Sequence, residues 1–300
     1  MHKIQFSARP EIVSAAQPMP GPGQLLIRTE LVGVHLGLLR MLRSGNAAEP
    51  GAEVVGAVVA VGAEVDESWV GKVVGGVVLE GAYAQYALAL PQLMTELPAG
   101  VDLADGLAVV RGGLVALGAL RAGRFGAGES ILVTSAASGS GHLAVQIARG
   151  LGARRVVGSV GSADKAEFLR ECGVDEVVTY DRPLTERFDV VLDGVGGDFV
   201  QRRVESLAPH GRLVVYSAGG GSVDAGGLLA ELKTVTGFSV GLLARSQPDL
   251  IGSYREQLWK LLAQRSIRPR HSVFAFDRLA EAMELVATRR NVGRVALSVA

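Results

Sequence analysis

The chain has 300 residues, 48% of them hydrophobic, and its 30 lysine and arginine residues equal its 30 aspartate and glutamate residues. A net charge of zero argues against a nucleic-acid partner or a polybasic membrane anchor. The single cysteine, Cys172, excludes an internal disulfide and a cysteine-rich zinc site. We find no apolar segment typical of a signal peptide or a membrane span, and we therefore expect a cytoplasmic protein. The length exceeds what one compact core usually fills, which predicts two domains.

Roughly the first hundred residues have the pattern of β-strands. Apolar and β-branched residues dominate Gln24–Val34, Val54–Val65 and Val77–Leu90, and turn-forming residues separate these stretches. Gly56 and Gly62 interrupt the second stretch, which indicates that a strand bends there or packs closely against its neighbour. The sequence predicts a twisted β-region.

A strand, a tight turn and a helix follow one another in the middle of the chain. Ile131–Ser135 is a short apolar run, residues 136–141 are all small, and apolar residues then recur at helical spacing as far as Leu151. A second apolar strand, Val156–Val160, completes a βαβ unit. A turn this small lets a diphosphate reach the backbone amides at the start of the helix, so a bound dinucleotide is predicted. Close packing of the helix on the strand would also require small residues.

The remainder of the chain alternates between strands and helices, as expected of a doubly wound parallel sheet. The periodicity predicts helices at Lys165–Cys172, Val200–Leu207, Tyr254–Arg265 and Leu279–Thr288, and strands at Glu176–Thr179, Asp189–Leu192, Arg212–Tyr216, Thr234–Val240 and Arg294–Val299. We expect the last strand to return to the N-terminal β-region, since no partner for it lies nearby in sequence.

Ordered motifs along nearly the whole chain resemble a known family. They are GPGQLLIR at Gly21, GVHLGLLRMLRSG at Gly33, PGAEVVGAVVAVG at Pro50, GKVV at Gly71, GAYAQY at Gly81, the turn at Ala136, VVLDGVGG at Val190, LAPHGRLVVYSAGG at Leu207 and RNVGRVALSV at Arg290. The chain is similar to the zinc-independent medium-chain dehydrogenase/reductases, the quinone oxidoreductase and enoyl reductase group.

This resemblance implies an α/β fold in which a Rossmann doubly wound parallel sheet is inserted into a GroES-like β-domain built from both chain ends. The domains would be residues 1–107, 108–245 and 246–300, the last returning to the first, with an active cleft where they meet. It also implies hydride transfer from a nicotinamide cofactor.

The end of the second Rossmann strand predicts NADPH. An NAD enzyme usually has a carboxylate there, whereas this sequence reads GSVGSADK from Gly158. Hydroxyl and ammonium groups that could hold a 2′-phosphate follow. Similar quinone oxidoreductases place a tyrosine, here Tyr180, at that phosphate, and relatives carry a basic residue, here Arg294, near the pyrophosphate. The predicted cofactor-binding residues are Ser138, Gly139, Ser140, Gly141, Ser159, Ser162, Lys165, Tyr180 and Arg294. The alternative is that Lys165, Tyr180 and Arg294 are ordinary surface or strand-end residues.

Alignment with the zinc-dependent relatives predicts that no metal is bound. Their three catalytic ligands fall on His35, Ala52 and Arg111 in this chain. Alanine cannot bind zinc, and one histidine with an arginine does not complete a three-ligand site.

His35 and Arg111 are the predicted catalytic residues. His35 could donate a hydrogen bond to a carbonyl or protonate the product, or it could be a structural residue. Arg111 could stabilise an oxyanion or bind a substrate carboxylate, or it could neutralise the buried acid Glu53.

These features favour an NADPH-dependent reductase of an activated C=C bond in a quinone, an enone or an enoyl thioester, with a small-molecule or carrier-bound acyl substrate. A non-redox cyclase or isomerase and a non-catalytic NADPH-binding protein are the alternatives, because Val115 replaces the threonine that the family places beside the nicotinamide. We also expect a homodimer, paired through the uncharged edge strand Thr234–Val240. Alternatively, Leu242–Gln247 could fold back over that edge and leave a monomer.

Overall fold

The computed structural model describes residues 1–7, 10–45, 49–217 and 219–299. The chain forms two compact units, Met1–Arg111 with Arg270–Ala300, and Gly112–Pro269.

The first part of the first unit is mostly β-structure. Its elements are β1 (His2–Gln5), β2 (Glu11–Ser14), β3 (Leu25–Val34), α1 (Leu36–Arg43), β4 (Pro50–Val61), β5 (Val73–Glu80), β6 (Tyr86–Ala89), β7 (Met94–Glu96) and α2 (Leu103–Leu107). A π-helical segment, Ala108–Gly113, follows α2 and carries Arg111.

The second unit is built from alternating helices and strands. Its elements are α3 (Leu114–Ala122), β8 (Ser130–Thr134), α4 (Gly141–Gly150), β9 (Arg155–Val160), α5 (Ala166–Glu171), β10 (Glu176–Thr179), β11 (Phe188–Asp193), α6 (Phe199–Glu205), β12 (Leu207–Val215), α7 (Ala225–Ala230), β13 (Thr234–Gly237), α8 (Val240–Ser246) and α9 (Pro248–Ala263).

The chain then returns to the first unit with β14 (His271–Ala275), α10 (Leu279–Ala287) and β15 (Arg294–Ser298). The main sheet of that unit has the order β14-β15-β3-β4-β5-β7, with β6 also paired to β3. Val295 pairs with Val34 in antiparallel register, which confirms that the last strand returns to the N-terminal β-region. A β1-β2 hairpin, which the sequence did not predict, forms a separate two-stranded sheet.

Gly56 lies where β3 and β4 depart from regular register. The pairing shifts between Thr29 and Leu31, opposite Gly56 and Val55. A Cβ on Gly56 would collide with the backbone oxygen of Arg28. The glycine therefore permits the close approach of two strands that the sequence indicated.

The sheet of the second unit has the order β10-β9-β8-β11-β12-β13, and every pair in it is parallel. This is the predicted doubly wound Rossmann arrangement, with the order reversing at β8. Valine and leucine side chains of the central strands β8 and β11 are buried, because helices cover both faces of such a sheet.

Two predicted boundaries near the C-terminus were wrong. The strand predicted as Thr234–Val240 ends at Gly237, and residues from Val240 onward form α8, which packs against α3 and α9. The second unit extends to Pro269 instead of ending at residue 245, because α9 packs against α3 and buries Ile251 and Leu258. A periodic helix can pack on either unit, so its own pattern does not reveal which one it joins.

One helical stretch of the described residues, Leu103–Ala122, is long and apolar enough to span a membrane by length and composition. Its most apolar 18 residues have a mean hydropathy of 1.6, and 78% of them are buried inside the protein. Core helices of globular folds have the same character.

Candidate functional site

The predicted nucleotide turn connects β8 to α4. Gly141 begins α4, and a Cβ on it would collide with the backbone oxygen of Ser135. Its N–H donates to Ser138 Oγ at 3.1 Å, while Ser138 N–H donates to the oxygen of Ser135 at 2.9 Å. Gly139 is buried and Ser140 is half-buried. The turn is compact and small-sided at the start of a ten-residue helix, which fits a dinucleotide diphosphate.

Tyr180 forms a hydrogen bond with the start of this turn. The N–H of Ser135 donates to Tyr180 Oη at 3.1 Å, and Ser135 itself has a φ of 50°. The Tyr180 ring packs edge-on against Phe199, with the ring centroids 5.1 Å apart. The sequence placed Tyr180 beside a 2′-phosphate; the structure shows that its hydroxyl contacts the first residue of the turn.

The predicted phosphate-binding residues at the end of β9 and just after it differ in their access to solvent. Ser162 is exposed and Lys165 is half-buried, at the two ends of a short turn that precedes α5. Ser159 is fully buried, and its hydroxyl has no hydrogen-bond partner among the described residues. The prediction that Ser159 donates to the phosphate is therefore corrected, since interior packing on both faces of β9 keeps this side chain away from solvent.

Two residues at the carboxyl ends of the next strands were missed by the sequence analysis. Asp193 is buried and accepts hydrogen bonds from Thr134 Oγ1 at 2.9 Å and from the N–H of Gly196 at 2.8 Å, so it shapes the loop after β11. The hydroxyl of Tyr216 is buried next to Gly194 and has no partner among the described residues. Burial raises the pKa of Tyr216, which keeps it a neutral donor. The acid at a strand end in VVLDGVGG was the available signal for Asp193.

The predicted catalytic residues of the first unit surround the fully buried carboxylate of Glu53 on β4. Arg111 Nη1 donates to Glu53 Oε2 at 3.0 Å, and Arg294 Nη2 contacts Glu53 Oε1. His35 Nε2 lies 3.8 Å from Glu53 Oε2. The three side chains come from the N-cap of α1, the π-helical segment and β15, so the carboxylate joins distant parts of the chain.

Gly33 leaves the space in which this cluster packs. A Cβ on Gly33 would collide with the Glu53 carboxylate and approach Arg294 Nη2 to 2.7 Å. The backbone oxygen of Gly33 accepts a hydrogen bond from Tyr83 Oη at 2.8 Å. Burial raises the pKa of Tyr83, so this phenol remains a donor.

The two arginines have the same buried partner. For Arg111, the contact with Glu53 supports the interpretation that it neutralises a buried acid; two-thirds of its side chain is buried and 33% is exposed. Arg294 was predicted near the cofactor pyrophosphate, but in the structure its guanidinium contacts Glu53. Burial lowers the pKa of Arg294 to about 10, which leaves it protonated at neutral pH. The attraction of two cations to the carboxylate offsets the free energy that is lost when the carboxylate is removed from water.

The geometry at His35 favours the structural interpretation. Its Nδ1 accepts a hydrogen bond from the N–H of Leu38 at 3.1 Å and so caps the N-terminus of α1. Burial, followed by the charges of Arg111 and Arg294, holds the pKa of His35 well below 6.5. The neutral ring then carries its proton on Nε2, so at neutral pH His35 can donate a hydrogen bond but has no second proton to transfer.

The donor set at the three aligned positions does not fit a catalytic zinc. Of the three residues, only His35 has a side chain that can coordinate zinc. Ala52, which is buried on β4, has no ligand atom, and Arg111 is cationic. Among the described residues, one group brings three potential ligand side chains together: Asp102, Asp105 and His271. It contains none of the aligned positions.

Comparisons with known proteins agree with this architecture. Residues 21–99 match the family model of the alcohol dehydrogenase GroES-like domain, and residues 139–264 match that of the zinc-binding dehydrogenases. A quinone oxidoreductase of Pseudomonas aeruginosa is 31% identical, covering 98% of this chain and 98% of its own. A mycocerosic acid synthase-like polyketide synthase of Mycolicibacterium smegmatis is 27% identical over 96% of this chain, which spans only 15% of that much longer protein.

A solved structure of a mycobacterial protein in complex with NADPH superposes with a TM-score of 0.89, at 27% identity and over 99% of this chain and 100% of the other. The chain belongs to the medium-chain dehydrogenase/reductase superfamily, in its quinone oxidoreductase and enoyl reductase group. It is an oxidoreductase of the kind that uses a nicotinamide cofactor.

Because folding keeps His35 neutral, its titration should make the protein less stable in mild acid. Below pH 6.5 the unfolded chain binds a proton at His35 that the folded chain does not, so the free energy of unfolding should fall as the pH falls. For one proton, the free energy of unfolding can change by at most about 1.4 kcal/mol per pH unit. Urea unfolding between pH 7.5 and 5 should show a shallower decrease for His35→Asn than for the wild type.

Asparagine is a suitable replacement because it can also cap a helix. Equal pH dependence in the two proteins would contradict the low pKa of His35.

Proposed function

We propose that this protein is an NADPH-dependent reductase of an activated C=C bond, in a quinone, an enone or an enoyl thioester, and that it works without zinc. The observation that carries the proposal is the position of Arg111. A partly exposed guanidinium stands where metal-dependent relatives are expected to hold a ligand. The negative charge that forms on an acceptor oxygen is then stabilised by a cationic hydrogen-bond donor in place of a metal.

The protein's contribution in this scheme is binding, orientation and electrostatics. When bound, the dihydronicotinamide supplies the hydride. The turn at Ser138 and Gly141 would hold the diphosphate, with Tyr180 fixing the turn through Ser135. Arg111 presents positive charge to the acceptor, and Glu53 holds Arg111 in place.

Turnover with a substrate panel tests this proposal directly. Purified protein and NADPH should reduce at least one of a series of quinones, enones and enoyl thioesters, measured as loss of nicotinamide absorbance. Prior incubation with a chelator should leave the rate unchanged, and elemental analysis should find less than one zinc per chain. Tight NADPH binding without turnover across the panel would instead favour a non-redox or non-catalytic role.

The preference for NADPH is a separate prediction. No carboxylate stands at Gly158–Val160, and Ser162 and Lys165 follow β9. We expect NADPH to bind at least about tenfold more tightly than NADH, which corresponds to about 1.4 kcal/mol. Nucleotide fluorescence titration of the wild type and of Lys165→Ala should show that the substitution weakens NADPH binding and leaves NADH binding nearly unchanged.

Ser159→Ala serves as the control for this measurement. Its buried hydroxyl should contribute nothing to phosphate selection, so the preference should persist. Equal affinities of the wild type for the two nucleotides would refute the NADPH assignment.

We also propose that two copies pair through the open edge of β13. This strand has a neighbour, β12, on one side of the sheet. Phe238 N–H donates to the oxygen of Val215, and because amide directions alternate along a strand, the N–H of Gly237 points to the open edge. A twofold pairing there would satisfy these groups and continue the sheet.

Gly237→Pro should dissociate this dimer, because proline removes an outward-pointing donor while the bonds to β12 remain. Gly237→Ala is the matched control, since space around this Cβ position is open and the N–H is kept. Light scattering at micromolar concentration should show a dimer for the wild type and the alanine variant, and a monomer for the proline variant. A monomeric wild type would contradict the proposal.

A further inference from the structure

The buried cluster around Glu53 contains more positive than negative charge. Arg111 and Arg294 share this carboxylate, which is the only one within 4.0 Å of either guanidinium among the described residues. His35 is neutral because its pKa is lowered, and Tyr83 is a neutral phenol because its pKa is raised. The cluster therefore has a net charge of about +1, which is costly in a buried environment unless an anion compensates it.

The uncompensated charge is accessible at Arg111. Glu53 is fully buried and the Arg294 side chain is 9% exposed, whereas the Arg111 side chain is 33% exposed. Its hydrogen bond to Glu53 uses Nη1. Since a guanidinium has five N–H donors in a planar fork, donors of Arg111 remain for a ligand.

We propose that Arg111 is also the recognition site for a carboxylate carried by the acceptor, so that among the unsaturated substrates of the proposed function the protein binds those with a carboxylate more tightly than neutral ones. A planar carboxylate matches the fork of a guanidinium and forms charge-assisted hydrogen bonds with it. Glu53 and Arg294 act as positioning residues: Glu53 fixes Arg111, and Arg294 neutralises Glu53 so that the charge of Arg111 is left for the ligand. This inference rests on the proposed function for the identity of the acceptor, but not for the binding itself.

Direct titration with a matched pair of ligands tests the proposal. The probes are trans-2-hexenoate and its neutral analogue trans-2-hexenamide, measured by calorimetry with and without NADP⁺, so that no turnover is needed. The wild type should bind the acid at least about tenfold more tightly than the amide. Arg111→Gln should abolish this difference, and Arg111→Lys should retain part of it because lysine keeps the charge without the fork.

Glu53→Gln gives the decisive contrast, because it raises the net charge of the cluster by one. It should tighten hexenoate binding severalfold, because the glutamine oxygen can still accept the hydrogen bond from Arg111 while the competing negative charge is removed. Arg111→Gln should instead weaken binding, and a merely structural cluster would lose binding in both variants. Thermal unfolding of each variant shows whether the fold is kept, and if Glu53→Gln does not fold, the comparison of Arg111→Gln with Arg111→Lys decides.

Equal binding of acid and amide by the wild type, or no detectable binding of the acid at millimolar concentration, overturns the proposal. So does an unchanged preference in Arg111→Gln. An inactive protein that still binds hexenoate through Arg111 would refute the reductase function and leave this inference standing.

Discussion

The carboxylate of Glu53 is the constraint on which the first unit depends. It is fully buried, and its two oxygens contact guanidinium groups from the π-helical segment and from β15. Removing one partner from a buried ion pair typically costs about 3–5 kcal/mol, because the remaining charge is left without compensation. The C-terminal strand is therefore held to the N-terminal sheet by this ion pair as well as by its backbone pairing with β3. Gly33 is required on β3 because a larger residue would occupy the volume of the carboxylate.

The parts of the fold that the sequence predicted are those with strong local signals. The predicted strand Ile131–Ser135 is observed as Ser130–Thr134, and the predicted strand Val156–Val160 as Arg155–Val160. Each has an apolar run bounded by small or turn-forming residues, so its position follows from local pattern. The β1-β2 hairpin has no such signal: β2 is four residues long and three of them are exposed, so no buried apolar run marks it.

The candidate site was less predictable, because its contacts join residues that are far apart in the chain. Alignment through short motifs identified His35 and Arg111, and the acid Glu53 was a possible partner of Arg111. Nothing local to Arg294 indicated that it shares the same carboxylate, since that contact depends on the pairing of β15 with β3. Ser159 illustrates the opposite limit: a hydroxyl at a strand end suits a phosphate, and only tertiary packing shows that it is buried.

Arg111 places a cationic side chain at a position where the zinc-dependent relatives are expected to hold a metal ligand. A metal ion supplies a fixed positive charge and holds its ligands by coordination. In the proposed function Arg111 would supply that charge, and its hydrogen bond to the buried Glu53 is the fixed contact that a flexible side chain needs in order to be preorganised. Arg294 completes the arrangement, since without it Glu53 would cancel the charge of Arg111. Glu53, Arg294 and Arg111 together therefore have one net positive charge, and Arg111 is the most exposed of the three side chains.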